Sequence, residues 1–133
     1  MRRVYIASKA KYRAEWRALR AKGYDIISRW IDTPDEYIGT TIGESDLDYS
    51  DLWTAIVQDV YYCNMLIVVI RPGDVLKGAL VEVGIALATD AEIWVVGAQE
   101  DIRANGTWVA HPKINVSKGP IESLLIMGRS SRG

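Results

Sequence analysis

The segment that decides the fold reads RPGDVLKGALVEVG and spans residues Arg71 to Gly84. It follows the apolar run MLIVVI, residues Met65–Ile70, and leads into an Ala/Leu/Val pattern that ends near Asp90. A short apolar run closed by Arg-Pro-Gly-Asp is typical of a buried strand leaving its sheet, and the spacing after it is helical. The segment therefore predicts a strand, a tight loop and a helix that begins at Gly78.

Glu82 is the one carboxylate on the small-residue side of this predicted helix. Helical spacing places it near Gly78, Ala79 and Ala86. Gly78 and Gly84 each cost about 1 kcal/mol relative to alanine, so a ligand or another backbone is expected to approach them closely. A carboxylate in a first helical turn also complements the helix dipole without any function. Because ligands of open parallel sheets gather at the carboxyl ends of strands, we take Glu82 as the centre of a candidate site.

Strand and helix patterns alternate along the rest of the chain. The predicted strands are Arg3–Ser8, Tyr24–Trp30, Met65–Ile70, Glu92–Val96 and Lys113–Val116. The predicted helices are Ala10–Lys22, Asp51–Cys63 with Ser50 as N-cap, Gly78–Asp90 and Ile121–Met127, with long loops at Ile31–Tyr49 and Ala98–Pro112. This order predicts a single α/β domain over residues 1–127, with a flavodoxin/Rossmann-like parallel sheet of four to five strands flanked by helices. Residues 128–133 are predicted to form a disordered tail.

The composition of the 133 residues excludes several classes of protein. The net charge of −1 argues against binding to polymeric nucleic acid or to an anionic membrane. No apolar run approaches the roughly 20 residues that span a bilayer, and the start of the chain lacks the pattern of a signal peptide. The single cysteine, Cys63, forms no internal disulfide and fits a reducing compartment. We therefore expect a cytoplasmic protein without membrane contact.

Metal and cofactor chemistry find no support in the sequence. One histidine, His111, and one cysteine make no metal-ligand cluster. The chain has no Gly-x-Gly-x-x-Gly and no Walker loop, which argues against dinucleotide oxidoreductases and NTPases. We therefore expect neither a metal nor a cofactor.

Three segments together resemble the nucleoside 2-deoxyribosyltransferase superfamily. They are VYIAS at Val4–Ser8, GALVEVG at Gly78–Gly84, and the strand Glu92–Val96. That family includes enzymes that hydrolyse the N-glycosidic bond of nucleoside 5′-monophosphates. The likeness covers roughly Arg3 to Val116. It implies an enzyme that acts on nucleosides or nucleotides through a glutamate nucleophile.

The resemblance assigns roles to individual residues. The nucleophile falls on Glu82, and Tyr5 matches an aromatic residue that orients the carboxylate and the sugar. Gly78 matches a glycine that lies against the sugar. The family also uses an aspartate in the helix before the third strand, but the alignment places Ile56 there. The nearest acid is Asp59, one turn later.

The resemblance also implies a second candidate acid and a contribution from a neighbouring subunit. Asp74, in the loop before the Glu82 helix, is another candidate for the acid/base role. Some family members complete the site with residues of a neighbouring subunit, and here Asn105, Thr107 and Trp108 resemble that Asn…Ser-Trp segment. This likeness implies a homodimer or a larger homo-oligomer.

A substrate 5′-phosphate would bind to cations and to backbone N–H groups at helix starts. Ser8, Lys9 and Lys11 close the first strand, and Arg71 and Lys77 flank the loop before Glu82. Solvated surface charge is the alternative explanation for these cations.

Aromatic residues offer a further means of binding. Trp30 and Tyr37 could stack on a base, although aromatic residues at a strand end more often belong to the core. We expect His111, in a loop before Pro112, to have a surface or hydrogen-bonding role.

Two other functions stay open at this point. Ile56 in place of an acid favours a nucleotide-binding protein that has kept the pocket and lost catalysis. A phosphoribohydrolase of the cytokinin-activating kind is the third possibility, but its Pro-Gly-Gly-x-Gly-Thr signature is reduced here to Pro72-Gly73. Fold alone does not decide among these functions.

Overall fold

A parallel four-stranded sheet runs through the centre of the protein. The computed structural model describes residues 2–34 and 49–130. The strands are β1 (Val4–Ala7), β2 (Met65–Val69), β3 (Glu92–Val96) and β4 (Ile114–Val116), and they lie side by side in that order. All three neighbouring pairs are parallel. This confirms the predicted α/β class and its parallel sheet.

The strand sequences explain why the sheet lies in the core. Every residue of β1 and β2 is buried, as expected for parallel strands that are covered on both faces. Val4 pairs with Met65, and Met65 in turn pairs with Glu92 at the start of β3. The carboxyl ends of β1, β2 and β3 therefore lie side by side, at the edge of the sheet where β1 leads to Ser8.

Five helices flank the sheet within the residues that the structure describes. They are α1 (Arg13–Ala21), α2 (Tyr49–Tyr62), α3 (Gly78–Leu87), α4 (Gln99–Arg103) and α5 (Ile121–Ser130). Short 3-10 turns lie at Ala10–Tyr12, Arg29–Asp32 and Trp108–Ala110.

Several helix ends differ from the sequence prediction. Helix α2 begins at Tyr49, so Ser50 lies inside the helix and is not its N-cap. Helix α4 occupies part of a predicted loop, and two acidic residues in its first turn complement the helix dipole. Helix α5 continues to Ser130, beyond the predicted end of the folded domain. Residues 131–133 of the predicted tail, like most of the loop from 31 to 49, lie outside the described residues.

The predicted strand at Tyr24–Trp30 was wrong beyond one residue. Ile26 alone pairs with β1, through an isolated parallel bridge to Val4. The hydroxyl of Ser28 then accepts the backbone N–H of Ile6 at 2.8 Å, in place of a backbone carbonyl. Because a side chain replaces the backbone acceptor of the neighbouring strand, the strand pairing ends there.

Asp59 of α2 turns the chain away from the sheet just after this point. Its Oδ2 accepts the backbone N–H of Arg29 at 2.9 Å, and the Arg29 side chain donates Nε–H to Oδ1 at 3.0 Å. The chain then forms the 3-10 turn that begins at Arg29. A hydrophobic pattern cannot foresee this outcome, because the acid that causes it is distant in sequence.

The loops after β1 and β2 are held together by side chains. The Tyr12 hydroxyl donates to Asp74 Oδ1 at 2.8 Å, and Lys9 Nζ donates to the carbonyl of Val75 at 3.1 Å. The Arg71 guanidinium stacks 4.4 Å from the centre of the Tyr12 ring. These contacts position the start of α3 over the carboxyl end of β1.

Candidate active site

A cavity of about 260 Å³ opens at the carboxyl end of β1. Its walls come from the loop after β1, from the turn after Ile26, from α2 and from the start of α3. They comprise Ser8, Lys9, Ala10, Arg13, Trp30, Thr33, Tyr49, Leu52, Ile56, Leu76, Lys77, Gly78, Ala79 and Glu82. This is the edge of a parallel sheet at which ligands are expected.

Glu82 contributes the one carboxylate among the described residues of the cavity wall. The residue is 7% exposed, and its Oε2 has no hydrogen-bond partner among the described residues. Burial raises the pKa of Glu82 from 4.5 to about 8, while its interaction with Tyr5 acts in the opposite direction. Without a ligand, this carboxyl group therefore holds its proton at neutral pH.

Tyr5 of β1 is fully buried and lies close enough to Glu82 to interact with it. Burial raises the pKa of the Tyr5 hydroxyl far above its usual range, and the nearby Glu82 carboxylate raises it further. The two groups are close enough to interact, yet Tyr5 Oη completes no hydrogen bond of standard geometry with a described residue. Tyr5 is thus a neutral donor beside an acid whose oxygen is still unpaired.

Five of the predicted substrate-binding residues lie in the cavity wall: Ser8, Lys9, Trp30, Lys77 and Gly78. Trp30 Nε1 donates to the carbonyl of Ile6 at 2.8 Å, and Ser8 Oγ accepts Trp16 Nε1–H at 2.8 Å. These two hydrogen bonds hold Trp30 and Ser8 in place, and so fix one wall of the cavity. Tyr37 lies outside the described residues.

Gly78 has a packing reason in addition to its place in the cavity. A Cβ added there would come within 3.3 Å of the Trp53 indole from α2. The glycine thus lets α2 and α3 approach each other at the cavity wall. The sequence predicted that a ligand or another backbone approaches this position, but the atoms nearest to the added Cβ belong to the Trp53 side chain.

Three predicted residues stabilise the loop after β2 and do not line the cavity. Asn105 Nδ2 donates to the carbonyl of Asp74 at 3.0 Å, and its Oδ1 accepts the Leu76 N–H at 2.8 Å. Asp74 Oδ2 accepts the backbone N–H of Arg71 at 2.9 Å. Trp108 Nε1 donates to the carbonyl of Asn105 at 2.8 Å. Within one subunit, Asp74, Asn105 and Trp108 therefore shape the approach to α3.

Asp59 is also absent from the cavity wall, because both of its oxygens bind Arg29. Ile56, one turn earlier, does line the cavity and is 5% exposed. The position that the resemblance assigns to an acid thus faces the cavity with an apolar side chain.

Asp59→Ala is expected to lower the melting temperature by several degrees, because it leaves the Arg29 N–H and the turn that follows without their acceptor. Thermal unfolding followed by circular dichroism measures the effect. Gln58→Ala is the matched control, since Gln58 also accepts from Arg29, but at an exposed site. An unchanged melting temperature would show that the bonds between Asp59 and Arg29 do not stabilise this turn.

Arg13 is the cavity residue that sequence reasoning missed. It is 2% exposed, and its Nη2 donates to the carbonyl of Pro34 at 3.2 Å. A spacing of three residues places Arg13 on the same side of α1 as the buried Trp16, which was the available signal. Lys11 and Arg71 do not line the cavity. The positive charges of its wall are therefore Lys9, Arg13 and Lys77.

A second cavity, of about 310 Å³, lies at the ends of β2 and β3. Its wall includes Arg71, which forms an ion pair with Glu15, and the carboxylates of Asp101 and Glu122. None of the residues that the sequence singled out as catalytic lies there. The cavity that contains Glu82 is therefore the stronger candidate for chemistry.

Neither metal binding nor membrane insertion gains support from the described part of the chain. Residues 2–34 and 49–130 contain no group of three or more His, Cys, Asp or Glu side chains arranged to hold a metal ion. None of the helices there has the length and apolar character needed to cross a bilayer. A scan against protein-family models matches no family, and a search of curated proteins finds no significantly similar sequence.

Proposed function

We propose that the protein cleaves or transfers the N-glycosidic bond of 2′-deoxyribonucleosides or their 5′-monophosphates, with Glu82 as the nucleophile. The observation that carries the proposal is the buried Glu82 carboxyl group, which faces a cavity of about 260 Å³ with one oxygen unpaired. The resemblance in β1 and α3 supplies the class of substrate. No metal or cofactor is part of the proposal.

The chemistry requires a carboxylate at the anomeric carbon. In the first step, a Glu82 oxygen bonds to C1′ as the C1′–N bond breaks, and the base leaves with the bonding electrons and takes up a proton from water. In the second step, water or another base attacks C1′ and gives up a proton to the solvent, and the C1′–O bond to Glu82 breaks and releases the carboxylate. Water gives hydrolysis, a second base gives transfer, and both retain the configuration at C1′.

Electrostatics connects the state of Glu82 to the substrate. The carboxyl group must be ionised to attack, although burial raises its pKa to about 8. Positive charge that develops on the sugar favours the ionised form in the complex. A 5′-phosphate would be attracted by the positive side chains of the wall, Lys9, Arg13 and Lys77.

The direct test is to incubate the purified protein with each deoxynucleoside and each 5′-monophosphate, with and without a second free base, and to separate the products. Free base alone identifies a hydrolase, and a new nucleoside or nucleotide identifies a transferase. If no substrate yields a product, the proposed reaction is wrong.

Tyr5→Phe is expected to shift the acid limb of the pH profile of kcat/KM to higher pH. The hydroxyl lowers the pKa of Glu82, so its removal leaves the carboxyl group protonated over a wider range. The measurement is kcat/KM from pH 5 to 10, and exposed Tyr62→Phe is the control. An unshifted limb would show that Tyr5 does not set the ionisation of Glu82.

A nucleotide-binding protein without turnover is the second candidate. Ile56 favours it, because this apolar side chain lines the cavity where the family pattern has an acid. A ligand-induced rise in melting temperature without any product would support binding alone.

The resemblance extends the proposal to assembly and location. We propose a cytoplasmic homodimer or larger homo-oligomer in which Asn105, Thr107 and Trp108 approach the cavity of a neighbouring subunit. Trp108→Ala would then lower kcat/KM in assembled protein.

A further inference from the structure

The two groups at the centre of the candidate site stand on different elements of the fold. Glu82 lies one turn into α3, and Tyr5 lies on β1. The sheet holds β1 and β2 in register, and α3 packs against β1. Helix α3 follows β2 through the loop of residues 71–77. The separation of Glu82 and Tyr5 therefore depends on how this loop is held against the end of β1.

Asp74 lies in the middle of that loop, and its buried carboxylate joins the loop to the segment after β1. Its Oδ1 accepts the Tyr12 hydroxyl at 2.8 Å, and its Oδ2 accepts the backbone N–H of Arg71 at 2.9 Å. Tyr12 directly precedes α1. Burial raises the pKa of the Tyr12 hydroxyl to about 12, and the bond to Asp74 acts in the same direction. The hydroxyl is therefore a neutral donor at neutral and mildly alkaline pH.

Two lysines also reach this loop from the segment after β1. Lys9 Nζ donates to the carbonyl of Val75 at 3.1 Å, and Lys11 Nζ lies 3.8 Å from Asp74 Oδ1. Both groups sit at the ends of flexible side chains, and exposed pairs of this kind restrain a structure weakly. The hydroxyl of Tyr12, by contrast, is carried by a rigid ring and ends on a buried carboxylate. Tyr12 is therefore the stronger restraint on the loop from the β1 side.

We propose that Tyr12 is a positioning residue for the candidate active site: through Asp74 it holds α3 against β1 and so keeps Glu82 beside Tyr5. Tyr12 is not among the described residues of the cavity wall, so it acts on the site through the loop. Its effect on turnover rests on the proposed function, but its effect on Glu82 does not. A residue that only stabilised the fold would leave the ionisation of Glu82 unchanged.

The test is the titration of the Glu82 carboxyl group in the full-length protein without substrate, followed by carbon-13 NMR of labelled glutamate. Tyr5 lowers the pKa of Glu82, so an α3 that is held less closely to β1 should lose part of this interaction. Tyr12→Phe keeps the ring and removes the hydroxyl. It is expected to raise the midpoint of the titration by roughly half a pH unit. In a Tyr5→Phe background it should add nothing, because the interaction on which it acts is already gone.

Lys113→Met is the matched control, because Lys113 holds the opposite end of α3. Its Nζ donates to the carbonyl of Leu87 at 3.3 Å and to the carbonyl of Thr89. The control should lower the melting temperature and leave the titration of Glu82 unchanged.

The charged groups around the site are the same in all of these variants. They are Lys9, Arg13 and Lys77 in the cavity wall, and Asp59 of α2, which acts on Tyr5. A change in the titration of Glu82 would therefore report a change in its position.

Tyr12→Phe is expected to fold, because Asn105 still holds the loop through the Leu76 N–H at 2.8 Å. An unchanged or lower midpoint, an equal rise in the Tyr5→Phe background, or an equal rise in Lys113→Met would each overturn the proposal. Once a substrate is identified, kcat/KM of Tyr12→Phe should fall roughly tenfold or more, and an unchanged value would contradict the proposal. If no substrate reacts, the proposed reaction is wrong, and the titration still decides the role of Tyr12.

Discussion

Glu82→Gln is expected to lower turnover by roughly a thousandfold or more while ligand binding is retained. The amide preserves the shape of the side chain and removes the oxygen that would bond to C1′. The expected result is therefore a loss in kcat with a nearly unchanged dissociation constant. Product formation under single-turnover conditions and calorimetric binding measure the two quantities separately.

The control for this variant is Glu100→Gln, which neutralises an exposed carboxylate in the first turn of α4. It should keep full activity. Near-normal turnover in Glu82→Gln would end the nucleophile assignment. Loss of binding together with turnover would show instead that the carboxyl group holds the substrate.

Ionisation of Glu82 should make the folded protein less stable as the pH rises from about 4.5 to about 8. Its pKa is 4.5 in the unfolded chain and about 8 in the folded protein, so the folded state holds the proton more tightly. Between these two values the folded state binds more protons than the unfolded state, and the free energy of unfolding therefore decreases with rising pH. The contribution is about 3 to 5 kcal/mol once the pH exceeds 8.

Glu82→Gln removes this dependence, because glutamine does not ionise. The variant and the unmodified protein should have similar free energies of unfolding at low pH, and the variant should be the more stable of the two at pH 9. Denaturant unfolding at both pH values measures the difference, with Glu100→Gln as the control. Parallel pH profiles for Glu82→Gln and the unmodified protein would show that the buried carboxyl group is not destabilising.

These two predictions have one physical origin. The burial that keeps a proton on Glu82 also reserves its unpaired oxygen for a ligand, since no described side chain competes for it. A substrate that develops positive charge beside this oxygen would offset part of the desolvation. A buried, reactive carboxylate is therefore expected to lower the stability of the protein when no ligand is bound.

Local pattern was sufficient for the parts of the fold that bury long apolar runs. The segment Met65–Ile70 has no polar residue, and such a run is typical of a strand that is covered on both faces. The Gly78–Glu82 spacing predicted a helix, and α3 begins at Gly78. The close neighbour of Gly78 is the Trp53 side chain, not the ligand or backbone that was expected. Hydrophobic burial is a property of each segment, and this is why it can be predicted from the sequence.

The roles of the polar residues depended on partners far along the chain. Asp59 and Asp74 looked like free acids in sequence, but they bind Arg29 and the Arg71 turn. Arg13 was not singled out from the sequence, yet it lies buried in the cavity wall. A carboxylate or a guanidinium can meet many partners, and only the packed chain determines which one it meets.

The sequence by itself therefore determined the α/β class, the parallel sheet and the placing of Glu82 at the carboxyl edge, because these follow from apolar periodicity and from the geometry of parallel strands. The tertiary structure decided that the chain leaves the sheet after Ile26 and that Ile56 lines the cavity. It also brought the buried side chains of Glu82 and Tyr5 close enough to interact. Those outcomes depend on desolvation and on long-range hydrogen bonds, which exist only once distant segments are packed together.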